Sequence, residues 1–173
     1  MISAKQIAHT LVKIRIGHNN LLRIDLVFQQ RHGVPMAIAS NGLGKGYGHD
    51  VLEKFHLADY FEVELFREDI QKSKPHPDAI LRAMRAMKKP PAAGDVVWFI
   101  GDRHKDMIAG LEADKLSDYT VMPFSYGLNA AVALLKNQVD TEHIIVSYPD
   151  FYERVRDLFG DDNGNVESIR DAA

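Results

Sequence analysis

Read by its hydrophobic and polar positions, the chain alternates short apolar runs with stretches of helical period. Ile7, Leu11, Val12 and Ile14 are spaced as in an amphipathic first helix, and Leu21, Leu22, Ile24, Val27 and Phe28 predict a second that ends at Gly33. Residues 34–39 then read as a buried strand with Pro35 near its start, closed by Ser40-Asn41-Gly42. Helices follow at 49–55, 77–87, 106–113, 130–135 and 151–159, and strands at 61–66, 96–100, 120–124 and 143–146. The run Val96-Val97-Trp98-Phe99-Ile100 is the clearest buried strand, because it offers no polar side chain to solvent on either face. This β-α repetition predicts an α/β fold of three layers, a Rossmann-like parallel sheet of four or five strands with helices on both faces.

Composition narrows the picture. At 173 residues, 46% hydrophobic and 26% charged, the chain suits one well-buried globular unit. A formal charge of -3 gives no positive field that would recommend nucleic acid as a partner. Cysteine is absent, which excludes disulfides and thiolate chemistry. No apolar run is long enough to span a bilayer, and the first residues lack a secretion-signal pattern, so the expectation is a cytoplasmic protein with no membrane partner.

Ligands in parallel sheets bind beyond the carboxyl ends of the strands, and polar groups collect at those ends here. Ser40 and Asn41 follow the 34–39 strand, Lys74 precedes the 77–87 helix, and Asp102 follows the 96–100 strand. A hydroxyl and neighbouring backbone N–H groups can hold phosphoryl oxygens, an ammonium can offset their charge, and Asp102 with Asp106 can ligate Mg2+. Were a helix to begin near Asp102, the two carboxylates, four positions apart, would share a face. Gly42-Leu43-Gly44-Lys45-Gly46-Tyr47-Gly48 lacks the Gly-Lys-Ser/Thr ending of a nucleotide loop and reads as a flexible loop, with Lys45 a candidate to face an anion. His76 and His104 lack the close pairing of a zinc site and read as solvated or substrate-facing.

Taken in order, these motifs resemble the haloacid-dehalogenase-like (HAD) hydrolase superfamily, particularly its phosphoglycolate-phosphatase-like branch, from about Gly33 to Phe159. Ala37-Ile38-Ala39-Ser40-Asn41-Gly42 is similar to the family's second motif, whose Ser or Thr binds the phosphoryl group. Lys74-Pro75-His76-Pro77-Asp78 is similar to the third, whose lysine steadies nucleophile and phosphoryl charge. Gly101-Asp102-Arg103-His104-Lys105-Asp106 resembles the fourth, in which Asp102 corresponds to a magnesium ligand and Asp106 to a supporting carboxylate. The resemblance thus implies phosphomonoester hydrolysis, a small phosphorylated metabolite as substrate, Lys74 as catalytic and phosphate-binding, Ser40 and Asn41 as phosphate-binding, and Asp102 with Asp106 as the metal pair.

The family's first motif is the exception. It is a strand ending in Asp-x-Asp, whose first carboxylate is phosphorylated and whose second is the general acid and base. Asp25 is the only carboxylate among the first forty residues, Val27 stands two places after it, and 15 positions separate it from Ser40, too few for a strand and a full crossover helix. Asp25 therefore reads as a polar position on the helix before Gly33. Residues 1–32 resemble the tail of a helical cap, 33–160 the α/β core without its first strand, and 161–173 a fraying tail. Without the nucleophile the chain is expected to be inactive or nearly so, with weak or absent Mg2+ binding, from either a shortened gene or a genuine loss. The second reading is a noncatalytic phosphate-binding or regulatory module. A missing central strand would expose apolar surface, to be covered from within residues 1–28 or by a homo-oligomer.

Overall fold

The structure, a computed structural model, describes residues 7–12, Leu26 and residues 29–159. Its strands are β1 (Ile7–Val12), β2 (Met36–Ala39), β3 (Val63–Leu65), β4 (Val96–Gly101), β5 (Thr120–Tyr126) and β6 (Ile144–Ile145). They form one six-stranded sheet in the order β3-β2-β1-β4-β5-β6, every pairing parallel. The helices are α1 (Lys45–Lys54), α2 (Asp78–Ala86), α3 (His104–Leu116), α4 (Leu128–Lys136) and α5 (Tyr148–Phe159). The α/β class and parallel sheet agree with the expectation, although the sheet has six strands rather than four or five.

Side-chain alternation along β4 explains its unbroken apolar sequence. Val96, Trp98 and Ile100 enter one core, with Met36, Ile38, Leu52, Phe124, Phe151 and Val155. Val97 and Phe99 enter the other, with Ala37, Ala39, Ile80, Met84, Ala109 and Ala113. A strand covered on both faces has no solvent side, so each parity must be apolar. On the second face, Ala37 and Ala39 leave room for α2, which turns Ala79, Ile80, Ala83 and Met84 inward, all fully buried. Burying Ile80 and Met84 stabilises the fold by about 1.5–3 kcal/mol each. Trp98 packs against Phe124 and Phe151 at ring-centroid distances of 4.7 and 6.2 Å on the first face.

Two expectations for the first 32 residues are corrected. Ile7–Val12 is a strand, not the start of an amphipathic helix, and it lies between β2 and β4, pairing Val12 with both Ile38 and Ile100. The gap expected there is therefore filled from within the chain, which removes the reason given for a covering homo-oligomer. The physical cause is backbone hydrogen bonding: two strands facing an empty slot would leave rows of buried N–H and C=O groups without partners, and a strand satisfies them where a helix cannot. Of the second predicted helix, Leu26 and residues 29–31 are helical, and Gly33 ends it with a φ of 68°, its N–H donating to Gln30 O at 3.0 Å. The rest of that helix, Asp25 and the 161–173 tail lie outside the described residues.

Candidate functional site

The carboxyl ends of β2 and β4 and the segment after β3 meet at one point. Ser40 extends the β2–β3 ladder, its N–H donating to Leu65 O at 2.8 Å, and its side chain is buried. Asn41 follows, half-buried. Its Oδ1 accepts from the Lys74 N–H at 3.5 Å, while its Nδ2 is buried with no hydrogen-bond partner among the described residues.

The Lys74 loop is shaped by a carboxylate that the sequence motif alone did not explain. Asp78 accepts the N–H groups of Gln71 at 3.0 Å and Lys72 at 3.2 Å, and both its oxygens lie 3.0 Å from Arg82 Nε. Burial raises the affinity of Asp78 for a proton, yet the Arg82 hydrogen bond and the two amides outweigh it, so this carboxyl sits below its ordinary range. The knot leaves Lys72, Ser73 and His76 exposed and turns Lys74 inward. His76 Nδ1 accepts the Asp78 N–H at 3.2 Å.

Upstream, the glycine-rich loop is shorter than its sequence suggested, because α1 begins at Lys45 and includes Gly46 and Gly48. Lys45 faces a protein carboxylate: its Nζ is 3.1 Å from Asp69 Oδ1, and its N–H donates to Glu68 Oε2 at 2.7 Å. The Phe66 N–H holds the Asp69 carboxyl below its usual range, and its own amide followed by that of Lys45 does the same for Glu68. These bonds fasten the start of α1 to the 3-10 turn at Arg67–Asp69.

At the centre, Lys74 Nζ lies 2.8 Å from Asp106 Oδ1, with side-chain exposures of only 5% and 2%. It also donates to Ala39 O at 3.4 Å and stands 5.5 Å from the centroid of the Phe99 ring. Asp106 uses its second oxygen to accept the Arg103 N–H at 3.1 Å, which completes the first turn of α3. Gly101 makes this approach feasible, since a Cβ there would lie 2.4 Å from Asp106 Cβ. Sequence reasoning missed Gly101 as a packing position and Asp106 as a capping acid, although an acid three places after Arg103 is a usable capping signal.

The metal assignment is corrected. Helix α3 begins at His104 and Arg103 is extended, so Asp102 lies in the preceding bend and does not share a helical face with Asp106. Both Asp106 oxygens are directed at protein donors. Among the described residues no group of three His, Asp or Glu side chains converges as a cation site requires. The Mg2+ pair Asp102 and Asp106 is therefore not supported by the geometry, whereas Ser40, Asn41 and Lys74 do come together. Of their donors, the Ser40 N–H is taken by Leu65 O and the Lys74 N–H by Asn41 Oδ1, which leaves the Asn41 Nδ2 group without a partner among the described residues. No helix among the described residues is long and apolar enough to cross a membrane.

Known proteins agree with this architecture. Phosphoglycolate phosphatase of Escherichia coli K12 is 27% identical over 129 residues, which cover 75% of this chain and 44% of the relative, so the chain spans under half of that protein's length. A HAD-superfamily hydrolase from Ehrlichia chaffeensis superposes with a TM-score of 0.65 at 21% identity, over 86% of this chain and 62% of the other. β-Phosphoglucomutase from Clostridium difficile does so with a TM-score of 0.59 at 15% identity, over 80% and 54%. Both structures establish the fold alone. The family profile described as haloacid dehalogenase-like hydrolase matches residues 5–114, well over half of the 173, and spans both the Ser40–Lys74 half of the site and its Asp106 half. By that match the chain belongs to the haloacid dehalogenase-like hydrolase family.

Proposed function

We propose that this chain is a phosphate-binding member of its family that turns over phosphomonoesters negligibly. The observation that carries the reading is the composition of β1. The family resemblance assigns covalent attack to a carboxylate at the end of the first core strand, and the strand between β2 and β4 is Ile7-Ala8-His9-Thr10-Leu11-Val12, with no Asp or Glu. An aspartyl-phosphate has no residue on which to form there. What supports retained binding is the convergence of Ser40, Asn41 and Lys74, with the Asn41 amide nitrogen free to donate. A small phosphorylated metabolite is the ligand class that fits, held with a Kd of about a millimolar or weaker. The purified chain assayed with a chromogenic phosphomonoester tests this. No turnover above background is expected. Turnover of about 1 s-1 or faster, abolished by Asp25→Asn and kept by a remote Asp→Asn control, would overturn it.

The noncatalytic reading extends to regulation or protein interaction, for which the described residues offer one feature. On α4, Leu128, Val132 and Leu135 are spaced along one helical face and are 77%, 50% and 51% exposed.

A further inference from the structure

We propose that Asp106 is a built-in competitor for bound oxyanions, so that anion binding at this site needs no divalent metal and strengthens when Asp106 loses its charge. The inference rests on the phosphate-binding reading and adds to it what limits the affinity. Lys74 is the buried cation of the site, and its ammonium is already 2.8 Å from the Asp106 carboxylate. An arriving phosphate therefore meets a neutralised pair: attraction to Lys74 is opposed by repulsion from Asp106 a few ångströms beyond, in a site with little water to screen either. Asp106 cannot simply turn aside. Its other oxygen caps the Arg103 N–H at 3.1 Å, and its Cβ sits where Gly101 lacks one.

In a metal-dependent site a divalent cation would relieve this repulsion, but the donor set does not fit one. Among the described residues there is no third carboxylate or imidazole to complete a ligand group, and both Asp106 oxygens serve N–H donors. Relief must come from removing charge. Asp106→Asn preserves the shape and leaves an oxygen to accept from Arg103 or Lys74, so Lys74 keeps its place with one negative charge fewer beside it.

The experiment is a calorimetric titration of the full chain with inorganic phosphate, once with EDTA and once with Mg2+. Wild-type affinity is expected to be the same in the two buffers, and Asp106→Asn to bind about tenfold more tightly or better in both. Adding Lys74→Met to Asp106→Asn should abolish the gain. Asp106→Ser serves as the second neutral variant should Asp106→Asn not fold, with folding followed by circular dichroism. Phosphate binding that requires Mg2+, or neutral variants that bind no tighter than wild type, would overturn the inference and leave the phosphate-binding reading standing. Absence of binding by wild type and both neutral variants in either buffer would overturn both.

Discussion

A methyl group at Gly48 would stand 2.2 Å from Cε1 of Phe66, inside the ring's van der Waals surface. Phe66 is fully buried and its N–H anchors Asp69, so it cannot withdraw without loosening the turn that leads to Lys74. Gly48→Ala should therefore lower stability by about 1–3 kcal/mol, as overpacking in a filled core does. Gly46, two residues earlier on α1, has nothing within 4 Å of such a methyl. Gly46→Ala should raise stability by about 0.4–1 kcal/mol through the unfolded state. Urea denaturation of both variants checks the opposite signs.

Removing one member of the Lys74–Asp106 pair leaves the other charged and almost dehydrated. Lys74→Met is expected to cost about 3–5 kcal/mol, whereas Lys74→Met with Asp106→Leu should recover much of that loss, since a well-packed apolar pair often matches a buried ionic one. Thermal unfolding of the two variants distinguishes a structural ion pair from an incidental one. Equal destabilisation by both would count against it.

Strong acid should loosen the Lys74 loop. Asp78 and Asp69 have native carboxyls held below their ordinary range, so their stabilisation is present above the unfolded value of about 3.9 and is lost as pH falls through the lower native values. The melting temperature should therefore fall below about pH 4, and fall less steeply in Asp78→Asn, which has no charge to lose. Parallel slopes for wild type and variant would refute the assignment.

Ser125 presents the opposite case, a fully buried hydroxyl whose Oγ has no partner among the described residues. Because the cost of burying it is not returned by a hydrogen bond, Ser125→Ala should be neutral or stabilising by up to about 1 kcal/mol. A loss of more than that, measured by chemical denaturation, would mean that the hydroxyl is bonded.

The parts of the fold that were legible in the sequence were those fixed by local pattern. Val96–Gly101 announces itself because burial on both faces forbids polar residues, and the Pro77-Asp78 start of α2 carries its own signal for a helix terminus. Ser40, Asn41 and Lys74 could be assembled because each stands at a strand end or loop in a recognisable order. Ile7–Val12 could not be read correctly, since six residues with apolar groups at both even and odd positions suit either period, and the choice is made by β2 and β4 on its flanks. The role of Asp106 was illegible for a related reason. Sequence marks a carboxylate but not its partner, and whether it meets a cation from solvent or an ammonium from Lys74 depends on a loop folded more than twenty residues upstream.

The strand order has a mechanical consequence. Strands β2 and β3 form one half of the sheet and β4, β5 and β6 the other, and β1 alone hydrogen-bonds to both. Across the same seam runs Lys74, which follows β3 yet grips Asp106 at the head of α3, making the buried pair a clasp between halves that have no direct ladder. Weakening that clasp should let the halves breathe first at their carboxyl ends, where amide protons of residues 39–41 and 101–103 would exchange ahead of the rest of β2 and β4.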